Sequence, residues 1–254
     1  MPLSEAEVDR YHEDGYVIPE YRLPGETLQD IRADYDRLLA RHPEFRDYCP
    51  MLLQYDLSFL NYARDPNILD MVAQVIGPDI ILWNSSFFAK PAVNGKKTPW
   101  HQDGEYWPLR PLATCTVWLA IDEATVENGC LNFMPGSHKR KELRPHRTNK
   151  DPNFTLHQEL LESEYDDEKA VPLELEAGQM SLHDVYLLHG SKANDSGKPR
   201  RGMTMRFMPG TSVFDREKAK QLSRDLGVVD HSDRTIYLMR GQDKTGENDF
   251  AMRL

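Results

Sequence analysis

The chain has 254 residues, enough to bury one sizeable core, and all-β folds of this length often form one domain. Its formal net charge of −10 disfavours nonspecific nucleic-acid binding, which needs clustered Lys and Arg on phosphates. No apolar run approaches the ~20 residues of a membrane span, the first ten residues lack the pattern of a signal peptide, and Cys49, Cys115 and Cys130 have no metal-type spacing. These features predict a small-molecule partner, no nucleic acid, no membrane, and reduced thiols in the cytoplasm.

In chain order, Ser4 reads as a helix N-cap, with Glu5 and Glu7 in the first turn and Gly15 as the stop. A short strand is expected at 16–19. After Pro24, the three- and four-residue spacing of Leu28, Ile31, Tyr35 and Leu38 marks one face of an amphipathic helix. A third helix near 67–75 ends at Gly77. The period then changes: 80–89, 113–121, 130–134, 171–175, 179–183 and 201–208 are short β-rich runs separated by Gly, Pro, Asn and Asp. Such a series predicts a sandwich or barrel, mainly β with flanking helices.

Residues 138–168 are polar, first basic and then acidic, and read as a long loop with some helix that could act as a lid. A helix is expected at 215–226. The expected organisation is one catalytic domain: a mainly helical part over 1–78, a β core over 79–210 and a C-terminal extension over 211–254.

Chemistry concentrates in WHQDGEYWP. His101 and Asp103 stand two residues apart after a predicted strand, so an extended backbone points both side chains the same way. A third ligand would complete a two-histidine, one-carboxylate facial triad, which holds Fe(II) and leaves positions open for O2 and a chelating cosubstrate. His189, in the apolar run YLLHGSKAN, is the candidate. Downstream, in PRRGMTMRF, alternation puts Arg200, Gly202, Thr204 and Arg206 on one face and Arg201, Met203, Met205 and Phe207 on the other. The apolar face suits the core, so the arginine face is left to line a cavity. A buried arginine needs an anion, and the distal carboxylate of 2-oxoglutarate would satisfy Arg200.

Taken together, DGYVI, FFAKP with WHQDGEYW, VWLAIDEATVENGCLNFMPGSHK, AGQMSLHDVYLLHGSKANDS and the arginine strand resemble the phytanoyl-CoA dioxygenase family, over most of the chain to about Pro209. The resemblance implies a double-stranded β-helix (jelly-roll, cupin-like) core, iron on His101, Asp103 and His189, and 2-oxoglutarate on the arginine eleven residues after the distal histidine. That residue is Arg200, with Arg201 as its competitor. Thr116 and Trp118, alternating onto one strand face, match positions that line the cosubstrate pocket; Arg206 is a further candidate there. Related halogenases replace the carboxylate with a small residue, so Asp103 points to hydroxylation.

Other readings bound this one. His183 is expected to be a strand histidine with a satisfied hydrogen bond. Gln102, Tyr106 and Trp107 flank the cavity mouth as packing or substrate walls. Lys139, Arg140, Lys141, Arg144 and Arg147 read as a solvated run partly paired with the acidic stretch. A cupin-like isomerase or non-catalytic metal-binding module is the alternative function; it would need no carboxylate-gripping arginine and would consume no O2.

Overall fold

The computed structural model describes residues 2–253. The N-terminal part runs through α1 (Glu5–Asp14), β1 (Tyr16–Val17), α2 (Gly25–Arg41), β2 (Tyr48–Cys49), α3 (Leu52–Tyr55) and α4 (Pro66–Ile76). The β-rich part follows with β3 (Ile80–Lys90), β4 (Thr98–His101), β5 (Leu109–Arg110), β6 (Cys115–Ala120), β7 (Leu131–Phe133), β8 (His146–Thr148), β9 (Gln158–Leu160) and β10 (Val171–Leu173). It continues through β11 (Met180–Asp184), β12 (His189–Ser191), β13 (Arg200–Pro209) and β14 (Val213–Phe214), then α5 (Arg216–Leu226) and β15 (Tyr237–Arg240).

The helices begin and end where local chemistry says they should. Ser4 and Glu7 form a reciprocal capping box on α1, and Gly15 closes it at φ +85°, a left-handed conformation that costs glycine little. Asp65 caps α4, with Pro66 in its first turn, and Asp215 caps α5. Among the described residues no helix is long and apolar enough to cross a membrane.

A larger antiparallel sheet has the order β1-β11-β6-β13-β3-β15, with β2 also paired to β3; a smaller one has the order β10-β7-β12-β4. They are separate ladders, so the jelly-roll core is an open sandwich and not a closed barrel. Helices cover the outer face of the larger sheet. Ile31, Leu38, Phe59 and Val72 pack there on Phe87, Leu119, Met203, Met205 and Phe207, all wholly buried. Burial of such side chains stabilises by roughly 1.5–3 kcal/mol each. The alternation expected for β13 therefore holds, and its arginine face turns inward, between the sheets.

Beside Arg206 the β13–β3 register shifts, Arg206 opposing Asn84 and Phe207 opposing Leu82, so Trp83 is the extra residue of a bulge. Trp83 joins a second cluster with Trp107, Met208 and Phe214.

Two expectations change. The first strand stops at Val17, before Pro19, which has no N–H for a ladder. The 138–168 stretch is not strandless: β8 and β9 form an antiparallel hairpin in it. Leu160 packs with Trp100 and Leu188, and the Gln158 backbone exchanges hydrogen bonds with Tyr106 Oη, tertiary contacts that override a polar local composition.

Candidate metal centre

His101 is the last residue of β4, and Gln102 keeps the backbone extended (φ −114°, ψ 133°) before a short turn begins at Asp103. One extended step is enough to aim His101 and Asp103 together. His189 begins β12, directly opposite His101 in the ladder, which brings the imidazole centres to 4.1 Å. His101 Nε2 and His189 Nε2 lie 3.8 and 4.0 Å from Asp103 Oδ1. All three residues are buried, and one ligand atom from each falls within 4.8 Å of the others.

The protonation states suit a metal. His101 Nδ1 faces the Pro99 carbonyl at 2.8 Å and His189 Nδ1 faces the Leu187 carbonyl at 2.9 Å. A carbonyl only accepts, so each Nδ1 carries the proton and donates, leaving the Nε2 lone pair free. Burial pushes both imidazoles down from their ordinary value, further for His189, where His101 adds to the effect. For Asp103, burial alone would raise the carboxyl; the close approach of the His183 and His189 rings and of the Arg206 guanidinium outweighs it and holds it well below the usual range. Two neutral imidazoles and one carboxylate make a donor set that fits the facial triad of non-haem iron.

Around these ligands lies a narrow cleft between the sheets, lined also by Phe88, Thr116, Trp118, His183, Arg200 and Arg206. Thr116 Oγ1 donates to Asp103 Oδ2 at 3.4 Å. Trp118 lies over Gly202, where a Cβ would come within 2.2 Å of its ring, and 5.3 Å from the Arg200 guanidinium. Arg200 is 2% exposed, donates from Nη2 to the Gly129 carbonyl at 2.8 Å, and has no partner for Nε. No carboxylate among the described residues pairs with it, and burial draws it down to about 10. Lys90, its cross-strand neighbour, is also buried and bonds the Lys96 carbonyl. Arg201, by contrast, faces away and grips Asp122 with Nε and Nη2 at 2.7 and 2.8 Å.

His183 departs from expectation. Neither ring nitrogen has a hydrogen-bond partner, and Nε2 stands 3.6 Å from Asp103 Oδ2. It sits inside the cleft because β11 pairs with β6, placing His183 opposite Thr116. The alternation of β11 alone would not reveal this, since the pairing is a tertiary fact. Gln102 is wholly buried and ties the loop, donating to the Glu142 and Tyr186 carbonyls. Of the basic run, Arg147 pairs with Glu159 at 2.6 Å, Lys139 with Glu13, and Arg144 bonds the Glu164 carbonyl. Tyr106 and Trp107 line a second chamber of about 240 Å³, which shares Phe88, Asp103 and Arg206 with the cleft and whose wall also holds Tyr48, His157 and His231. Composition gave no signal for these last three.

Residues 11–202 match the phytanoyl-CoA dioxygenase (PhyH) family model. The human peroxisomal phytanoyl-CoA dioxygenase is 30% identical over 78% of this chain and 66% of its own length, so the chain spans just under two thirds of that relative. Among solved structures, SnoK, a non-heme alpha ketoglutarate dependent carbocyclase from nogalamycin biosynthesis, superimposes with a TM-score of 0.71 at 25% identity, covering 84% of this chain and 87% of SnoK. The apo form of the non-heme monooxygenase ThoJ shares the fold, with a TM-score of 0.73 at 23% identity, covering 97% and 87%. The chain belongs to the phytanoyl-CoA dioxygenase family of Fe(II)- and 2-oxoglutarate-dependent non-haem oxygenases.

Proposed function

We propose that this chain is a dioxygenase that hydroxylates an unactivated C–H bond of a small metabolite or biosynthetic intermediate, with release of succinate and CO2. His101, Asp103 and His189 hold the iron. Arg200 grips the far carboxylate of 2-oxoglutarate, with Trp118 and Thr116 shaping the pocket. The iron, when bound, couples activation of O2 to oxidative decarboxylation of 2-oxoglutarate. The chain's own part is to present two unprotonated Nε2 atoms and one carboxylate, to fix the cosubstrate at Arg200, and to keep bulk water out of the cleft.

The observation that carries the reading is Arg200, a buried guanidinium with an orphaned Nε and no acid of its own, in the same cleft as the three ligands. A cupin-like isomerase or binding module has no use for that charge. Asp103 occupies the position that halogenases leave open, which favours hydroxylation over halogenation. A small metabolite suits the acidic chain better than a coenzyme A polyanion. Residues 228, 229 and 231 help wall the second chamber, so the chain works as one catalytic unit that includes its C-terminal part. The three buried, unpaired cysteines fit a reducing compartment such as the cytoplasm.

The test is a metabolite screen by succinate release, followed by product mass. Gain of one oxygen is expected. Loss of two hydrogens would replace hydroxylation by desaturation or ring closure, an unchanged mass would indicate epimerisation, and the absence of 2-oxoglutarate turnover with every candidate would remove the assignment.

A further inference from the structure

Two arginines of β13 face the cleft, and one cosubstrate distal carboxylate accounts for one of them. Arg200 and Arg206 are six residues apart on the same strand face, about 20 Å along the chain at the usual rise. Arg206 sits opposite Thr116, which bonds the Asp103 carboxylate, so it flanks the ligands on the side away from Arg200. It lines both the metal cleft and the second chamber.

Arg206 is 4% exposed, and its one hydrogen bond among the described residues runs from Nη1 to Ser86 Oγ at 2.8 Å. Nε has no partner. Behind it lies a second buried guanidinium, Arg234, which donates to the Trp83 carbonyl and to His231 Nδ1 and whose Nε is also orphaned. His231 accepts there, so that imidazole is neutral and offers no charge to offset either arginine. No carboxylate among the described residues lies within 4 Å of Arg206 or Arg234, and Asp103 is committed to the metal. Asn84, opposite Arg206, adds an unpartnered buried Oδ1 to the same chamber.

Two buried positive charges with no carboxylate in direct contact carry a desolvation cost that a bound anion would offset. The guanidinium carbon of Arg206 lies 5.7 Å from the Phe88 ring centre and 5.2 Å from that of Trp107. Aromatic faces on the cation leave its unbonded Nε–Nη2 edge as the docking side, and that two-donor edge matches a planar carboxylate. Tyr48, Tyr106 and Trp107 supply aromatic surface for the remainder of a compact molecule.

We propose that the second chamber binds the substrate through a carboxylate held by Arg206, making the substrate a compact organic acid. This rests on the oxygenase reading for what happens next, but the binding claim can be tested apart from it. The protein loaded anaerobically with Fe(II) and 2-oxoglutarate is titrated with acetate, benzoate and phenylacetate, each against its primary amide, following tryptophan fluorescence (Trp107 touches Arg206) and the visible band of the iron chelate. At least one acid is expected to bind ten-fold or more tighter than its amide. Arg206→Gln should erase that preference while keeping the 2-oxoglutarate band, and Arg206→Lys should retain part of it. Acids and amides binding alike, or neither binding, in the wild type would overturn the proposal without any variant. So would an Arg206→Gln protein that loses 2-oxoglutarate as Arg200→Ala does, because Arg206 would then belong to the cosubstrate. If no band forms in the wild type, the oxygenase reading fails, and the acid-over-amide preference still decides the anion site by fluorescence.

Discussion

His183 Nε2 stands 3.6 Å from Asp103 Oδ2, behind the carboxylate oxygen that faces the two ligand imidazoles, and neither of its ring nitrogens has another partner. A group so placed orients a ligand without needing to touch the metal. Partners of this kind are worth ~10–100-fold in metal affinity. His183→Phe should weaken iron binding by about that factor in a chelator competition and leave the fold intact, whereas His101→Ala should abolish binding. Unchanged affinity in His183→Phe would reduce the residue to packing.

Arg200 and Arg201 are adjacent but should fail differently. Arg200→Ala removes charge-assisted hydrogen bonds worth ~1.5–3 kcal/mol, so the KM for 2-oxoglutarate should rise by roughly 10–100-fold. Arg201→Ala breaks the two-point contact with half-buried Asp122 and should cost on the order of 1 kcal/mol of stability, read by urea unfolding, with little change in that KM.

Gly202→Ala should damage both stability and cosubstrate binding. The new methyl would come within 2.2 Å of the Trp118 ring, and overpacking of this kind costs ~1–3 kcal/mol. Because Trp118 lies 5.3 Å from the Arg200 guanidinium, its displacement should loosen 2-oxoglutarate as well. Thermal unfolding and the KM for 2-oxoglutarate, measured together, check this; a lower Tm with an unchanged KM would separate Trp118 from the cosubstrate pocket.

Acid should destabilise the metal-free protein in two stages. Burial lowers the His101 and His189 pKa values, so below about 6.5 the unfolded chain binds protons that the folded chain refuses, and stability falls with pH. Asp103 is held lower than an ordinary carboxylate, so it contributes stability above about 4 that is lost as pH drops further. Urea unfolding of the metal-free protein between pH 8 and 4 should show the first stage, and replacing His189 with Gln should shrink it.

The larger sheet and its helices were legible because period and caps act locally: Ser4, Gly15, Asp215 and the Met–Arg alternation of β13 each specify a conformation with their own chemistry. The three candidate ligands were legible because an H-x-D on an extended chain converges by itself, and an apolar run buries His189. What escaped was whatever depends on pairing between distant strands. His183 looked self-sufficient until β11 was laid against β6, and the β8–β9 hairpin is held by Tyr106, Trp100 and Leu188 more than by its own residues. The second chamber draws on Tyr48, His157 and His231, which lie more than 180 residues apart at their extremes and share no motif.

Anaerobic addition of 2-oxoglutarate to the Fe(II)-loaded protein, followed by visible absorption, tests whether His101, Asp103 and His189 hold iron beside a 2-oxoglutarate site at Arg200. A weak charge-transfer band is expected in the wild type, a band that needs markedly more 2-oxoglutarate in Arg200→Ala, and none in His101→Ala. Bound iron with no band in the wild type, or a full-strength band in His101→Ala, would contradict it.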